Sequence, residues 1–247
     1  MKRINLFAFF LTILVLNACK KQTEDFASAT IEDYSPLVVG KFITYQLDTF
    51  KYLPFSLQDI TVTYQIKYVT DALITDNLER PAYRIIRYIR KTAQGAWVPD
   101  NTFTAVNTGS SLEFIENNLR FLKLKLPIRD GYSWKGNSYI DTYSLNSDVR
   151  YLDDWDYTYE GLNEPLILGS IQLDSTLKVS ERDEVIGNPA DVNSYSEKNF
   201  SAEVYAKGIG LVYRKFLHTE FQPATPGLPS SYSDGSYGIT LTMIDHN

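Results

Sequence analysis

Several groups of side chains have the types and spacing to do chemistry. The densest is Asp153-Asp154-Trp155-Asp156-Tyr157-Thr158-Tyr159-Glu160. Asp153, Asp154 and Asp156 could offer oxygen ligands to calcium, or a carboxylate pair beside rings that stack on a sugar. The stretch lacks the glycine and ligand spacing of an EF-hand loop. In an extended chain Asp154 and Asp156 share one side while Asp153 and Trp155 share the other. A solvated loop whose aromatic residues pack onto a sheet edge accounts for the same residues. Asp153, Asp154, Trp155 and Asp156 are therefore binding candidates, and no metal or other cofactor is expected. His218 has a carboxylate two residues on, at Glu220, and on a strand the two would share a face. A lone histidine there is more often packed or solvated than catalytic. Arg84, Arg87, Arg90 and Lys91 could meet lipid phosphates, or form a polar strand face paired with acids. Gly208-Ile-Gly210 is a fragment of a phosphate-binding loop, but it leads into a strand, so a turn or bulge is expected.

The wider inventory excludes more than it offers. The chain has no Gly-x-Ser-x-Gly elbow, His-Glu-x-x-His, P-loop or complete Gly-x-Gly-x-x-Gly. One Cys and two His leave nothing for an internal disulfide framework or a thiolate metal cluster. A net charge of −6 argues against a nucleic-acid grip. Carrying 18 Tyr, 13 Phe and 3 Trp in 247 residues, the chain is built to bury a core. No enzyme is expected.

The first residues carry an address. Met1-Lys2-Arg3 is a short basic start, followed by an apolar run from Leu6 to Leu16. That run is too short to span a bilayer and has the form of a secretory signal. It ends in Leu16-Asn17-Ala18-Cys19, which resembles a lipobox, the cleavage motif of bacterial lipoproteins. Leu16, Ala18 and Cys19 match the motif, and Asn17 departs at its most tolerant position. The resemblance implies cleavage after Ala18 and acylation of Cys19, with palmitate-type chains that hold the protein at the membrane. Removal of residues 1–18 takes Lys2 and Arg3 with it and moves the net charge from −6 to −8. Lys20, standing where Asp would retain a lipoprotein at the inner membrane, implies an outer-membrane lipoprotein, periplasmic or surface-exposed. Gln22-Thr23-Glu24-Asp25 resembles the export signal of surface-exposed lipoproteins, and equally suits a solvated tether. The expected organisation is a signal peptide over 1–18, a lipidated flexible tether over 19–33 and a single all-β domain over 34–247.

The elements that must position these residues read as strands. From Asp59, residues Ile60, Val62, Tyr64, Ile66 and Tyr68 alternate with polar ones, the signature of a half-buried strand. Further strands are expected over 40–47, 81–90, 112–115, 119–126, 173–182, 202–206, 211–221 and 239–244, with a hairpin turn at Glu116-Asn117-Asn118. In the strand from 119, Leu122, Leu124 and Leu126 should face one way, and Phe121, Lys123 and Lys125 the other. A short helix at most is expected at 72–79 or 145–165. The fold class is all-β: an antiparallel, strongly curved sheet or open barrel. An internal echo, Pro36-x-x-x-Gly40 and Pro127-x-x-x-Gly131, each followed by a strand, leaves open two related modules over 34–126 and 127–247.

Tyr34-Ser-Pro-Leu-Val-Val-Gly40, Leu126-Pro-Ile-Arg-Asp-Gly-Tyr-Ser-Trp134 and Tyr205-Ala-Lys-Gly-Ile-Gly-Leu-Val-Tyr213 together resemble segments of bacterial envelope lipoproteins. Some of that group resemble curved-sheet lipoprotein-carrier proteins, which shelter acyl chains. The resemblance implies a fold and no catalytic residue. The expected function is a non-enzymatic β domain for binding or envelope assembly. The alternatives are a carrier of a lipid or other apolar ligand, a glycan-binding module using Trp155 and tyrosines, and a carboxylate-based hydrolase. The partners are the membrane, through acylated Cys19, and an envelope component or ligand.

Overall fold

The computed structural model describes residues 28–247. The expected signal peptide, Cys19 and most of the expected tether lie outside the described residues. The described chain opens with one helical turn, α1 (Ile31–Tyr34). Six strands follow: β1 (Phe42–Tyr52), β2 (Asp59–Thr75), β3 (Pro81–Arg90), β4 (Val98–Asn107), β5 (Ser111–Glu116) and β6 (Leu119–Lys125). The second half holds β7 (Ser133–Lys135), β8 (Asp156–Leu168), β9 (Ile171–Gly187), β10 (Ser196–Ala206), β11 (Gly210–Gln222), the two-residue β12 (Ser231–Tyr232) and β13 (Tyr237–His246).

Each strand pairs antiparallel with its successor, apart from β12, which lies to the side on β11, and the break between β6 and β7. The first and last strands pair over a long register, Ile43 opposite His246 through Lys51 opposite Tyr237. The ring is therefore an up-and-down barrel, complete except at one seam. This is the expected antiparallel, strongly curved all-β fold. At the seam β6 has no ladder partner, yet its backbone is not left bare. Leu122 N–H donates to the Gly136 carbonyl at 2.8 Å, and the Trp134 indole donates to the Leu122 carbonyl at 2.7 Å. Buried backbone groups need such partners wherever a sheet stops.

Local chemistry explains most of the boundaries. Asn117 and Asn118 both have positive φ (51° and 64°), so the hairpin turn expected over 116–118 is a tight two-residue one, with Glu116 in β5. The Pro-x-x-x-Gly echo is a repeated structural device. Gly40 and Gly131 sit at φ +91° and +75°, where a Cβ would be strained. Gly40 N–H donates to the Thr70 carbonyl and Gly131 N–H to the Tyr159 carbonyl. One residue on, the Lys41 carbonyl accepts from Thr70 N–H and the Tyr132 carbonyl accepts from Tyr159 N–H. Each turn thus docks its strand onto the one after it. Each half supplies six strands to the ring, and neither closes without the other.

β4 and β7 fall outside the expected strands, and three further features differ from expectation. The domain begins before residue 34: Ile31 and Tyr34 are fully buried, so residues 31–33 belong to it and not to the tether. Thr30 caps this turn in a reciprocal capping box with Asp33. The stretch from 145 to 165 holds only a 3-10 turn at Arg150–Leu152 and then most of β8. Positive φ at Gly161 and Asn163 irregularises that strand and masks its period. In β6, Phe121, Leu122, Lys123 and Leu124 are all buried, so both faces are covered and Lys123 is not on a solvated side.

The strand directions put residues 35–41 and the turns at 76–80, 108–110, 126–132, 169–170 and 207–209 at one end of the barrel. α1 blocks that end. Its Glu32 accepts from Asn107, its Tyr34 hydroxyl donates to Asn163, and the Asp33 carbonyl accepts from Gly208 N–H. Three points around the ring thereby hold one turn of helix.

Candidate functional site

At the same end, beside the segment that follows α1, lies a cavity of about 100 Å³ within the barrel. Tyr45, Tyr68, Ala105, Leu112, Phe114 and Leu211 form much of its wall, and Pro36, Leu37 and Lys41 flank it from the segment after α1. Lys41 donates across to the Gly208 carbonyl at 2.6 Å, tying that segment to the β10–β11 turn. The wall is mostly apolar and aromatic, with Ser35, Lys41 and Thr70 on one side and Lys123, Glu203 and Arg214 on another. A mostly apolar pocket with a few convergent polar groups is the usual form of a small-molecule site.

Lys123, Glu203 and Arg214 belong to a buried network of five. Lys123 Nζ lies 2.9 Å from Glu181 and 2.7 Å from Glu203. Arg214 Nη1 lies 3.0 Å from Glu116, and its Nε lies 3.4 Å from Glu203. Ser201 donates to the other oxygen of Glu181, and Tyr205 to the other oxygen of Glu203. Lys123, Glu181, Glu203 and Arg214 come together from β6, β9, β10 and β11, with Glu116 at the end of β5 and a bulge beside Ala202 that turns Glu181 inward.

Burial works against every charge here, and the neighbours decide the outcome. Burial would lower Lys123, but Glu181 and Glu203 outweigh it and hold the ammonium above its ordinary value. Glu203 resists burial because Lys123 and Arg214 both stabilise its carboxylate, which lies below its ordinary value. Burial, reinforced by Glu203, pushes Glu181 up. The two carboxyls share one ammonium, and the negative charge settles on the one facing both cations. Tyr68 is pushed up to about 12 by burial. One group in this network is unsatisfied. Arg214 Nε is within ion-pair distance of Glu203 but misaligned, and has no hydrogen-bond acceptor. A buried donor left so costs about 1–3 kcal/mol.

The residues singled out from sequence lie elsewhere. Trp155 is buried, with its indole donating to the Tyr151 carbonyl at 2.8 Å and its ring stacked on Phe216. It presents no face to a sugar. Lys135 lies 2.6 Å from Asp154 and 2.9 Å from Asp156, whereas Asp153 accepts from Thr142. The three acids thus divide between two sides and do not converge. No cluster of three or more His, Cys, Asp or Glu with metal-binding geometry occurs among the described residues. Asp153 and Asp154 do border an open outer groove with Tyr143, Tyr151 and Tyr195. His218 is buried, stacked on Tyr151, with Nδ1 2.7 Å from the Asn199 side-chain oxygen and Nε2 3.5 Å from Glu220. Arg84 pairs with Asp71, Arg87 with Asp100, and Arg90 lies 4.2 Å over the Trp97 ring. These arginines are engaged with their own sheet.

Glu203 and Arg214 went unnoticed in the sequence. The available signal was a charge at an inward position of an otherwise apolar strand, as in Ser201-Ala-Glu-Val-Tyr205 and Leu211-Val-Tyr-Arg214. No protein-family model, curated protein or solved structure matches the chain, so the cavity's chemistry is what its geometry offers.

Proposed function

We propose that this protein is an acyl-anchored, non-enzymatic binding module of the bacterial outer membrane whose barrel takes a small, largely apolar molecule into its interior. The observation that carries this reading is the cavity at the plugged end of the barrel, walled mostly by apolar and aromatic side chains with a few polar groups among them. Attachment through Cys19 would hold this end of the barrel near the bilayer, since the described residues begin there. A cavity of about 100 Å³ holds the equivalent of about three waters, well short of a drug-sized pocket. A small ligand therefore fits better than an acyl lipid. Glu181 and Glu203 do not favour a hydrolase, because an ammonium fills the space between them.

Two variants test the two parts. Ala105→Leu should fill the cavity and abolish binding of small apolar probes while the fold persists. Equal binding in variant and parent would refute the interior site. Cys19→Ser should abolish labelling by a palmitate analogue and release the protein from membranes, and unchanged labelling would refute the anchor.

A further inference from the structure

The lining of the cavity carries one charge that the protein leaves unanswered. Lys123, Arg214, Glu203 and Glu116 answer one another, and burial pushes Glu181 toward its neutral form. Lys41 stands apart from that network. Its ammonium donates to the Gly208 carbonyl at 2.6 Å and makes no ion pair among the described residues. Burial lowers it, and no neighbouring acid raises it. An ammonium with two N–H bonds to spare is a ready partner for an anion.

Strand register places this charge at the mouth of the cavity. Leu47, Tyr45, Ile43 and Lys41 take alternate positions, so Lys41 continues the inward face of β1 to the plugged end. Ile43 stands opposite Tyr68, and one step further out the Lys41 carbonyl accepts from Thr70 N–H at 2.9 Å. Side chains directly opposite on paired strands are neighbours, so the Thr70 hydroxyl lies beside Lys41. Ser35 lines the same side, and neither hydroxyl is bonded to another group among the described residues. Further in, Ile85, Ala105, Leu112, Phe114 and Leu211 make an apolar wall. Free donors at the mouth and apolar walls within suit a molecule with a charged head and an apolar tail.

Charge and size narrow the class. One unanswered positive charge matches a monoanion, whereas a phosphate carrying two charges would leave one unmatched. A carboxylate has acceptor sites enough for Lys41, Thr70 and Ser35 together. Lys41 is only half-buried, so the head keeps part of its water. At about 30 Å³ for each water-sized group, about 100 Å³ holds a tail of about three carbons. Resting on the interior-site reading, we infer that the cavity takes a short-chain aliphatic monocarboxylate. Its carboxylate would sit on Lys41 and Thr70, and its tail against Ala105, Leu112, Phe114 and Leu211.

Butanoate, butanamide and 1-aminobutane have nearly the same size and differ in charge. Acetate keeps the head and loses most of the tail, and inorganic phosphate is an anion with no tail. Each is titrated into the full chain in phosphatidylcholine nanodiscs, whose lipids carry no net charge. Binding is followed by ligand-observed NMR, with empty nanodiscs as the blank. The expected result is saturable binding of butanoate, about tenfold tighter than any of the other four. Lys41→Gln keeps a donor for Gly208 and removes the charge. It should bring butanoate to the level of butanamide and leave butanamide unchanged. Where that variant does not fold, the preference for butanoate over butanamide in the parent protein decides alone. Butanamide or 1-aminobutane binding as tightly as butanoate, or butanoate binding that Lys41→Gln leaves intact, overturns the carboxylate inference and leaves the interior site standing. Acetate or phosphate matching butanoate overturns it too, because the ammonium would then take any anion. Binding that Ala105→Leu does not reduce, or no binding of any probe, overturns the interior site as well.

Discussion

The hydroxyl of Tyr159 bonds both backbone groups of Lys125, accepting from its N–H at 2.7 Å and donating to its carbonyl at 2.9 Å. One side chain from β8 thus does for the unpaired edge of β6 what a neighbouring strand would do. With Trp134 and Gly136 on Leu122, it closes the seam without a ladder. Tyr159→Phe keeps the ring and removes both bonds. The expected cost is about 1–3 kcal/mol, a fall of several degrees in melting temperature for a domain of this size. Amide exchange at Lys125 should accelerate more than at β2, and protection equal to the parent's would show that the seam does not depend on this hydroxyl.

The two buried glutamates on Lys123 should respond oppositely to one substitution. Glu203→Gln strips two cations of their shared carboxylate and should cost about 3–5 kcal/mol. Glu181→Gln replaces a carboxyl that burial already pushes toward its neutral form, and should be neutral or stabilising at pH 7. A raised folded-state value means that stability is present at low pH and lost as Glu181 is forced to ionise. The advantage of Glu181→Gln over the parent should therefore grow as pH rises above about 4.5. Equal destabilisation by both substitutions in urea would contradict this division of charge.

His218 sets a second pH dependence of the opposite sign. Burial lowers it from 6.5, although Glu220 and Glu197 pull the other way. Below about pH 6.5 the unfolded chain takes up a proton that the folded one still refuses, so stability should fall as pH drops through that window. His218→Gln also loses the stack on Tyr151 and will be less stable throughout, so the slope is the informative quantity. Melting curves between pH 7.5 and 5 should be flatter for the variant than for the parent.

In β2, Ile66 is fully buried and Thr63 exposed. Ile66→Asp should unfold the domain or cost several kcal/mol, whereas Thr63→Ala, which loses only an exposed hydrogen bond to Asp48, should cost about 1 kcal/mol or less. Val62, on the same face as Ile66 but half-buried near the strand's start, should fall between them. Circular dichroism melts of the three variants give the ranking directly.

These contrasts show which parts of the molecule were written locally. The alternation from Ile60 to Tyr68 placed β2 and its inward face, because a period of two is a property of neighbouring residues. β3 was found despite Arg84, Arg87 and Arg90 at a helical spacing, since Ile and Tyr dominate it. β4 escaped notice because Asp100, Asn101 and Thr102 interrupt its apolar residues. The cavity could not be read at all. Lys123 stands in a strand where it passes for the polar side, and only ring closure brings Glu181, Glu203 and Arg214 around it from three other strands. The acidic stretch at 153–156 drew the eye because its charges are adjacent in sequence, and adjacency in an extended chain sends them to different sides.

The pairing of β1 with β13 joins opposite ends of the described chain, whereas the unladdered seam separates β6 and β7, which are neighbours in sequence. The costliest loop to close is thus the one that makes the longest-range ladder, while a short connection between sequence neighbours closes none. Non-local pairing of this kind slows folding, because chain entropy is lost before the contacts form. The Asn247 side chain already accepts from Phe42 N–H and donates to the Gly40 carbonyl. A circular permutant joined there and opened within 126–132 would turn every ladder of the ring into a hairpin between successive strands. The same barrel would then fold by zipping, with its contact order sharply lowered and its native contacts unchanged.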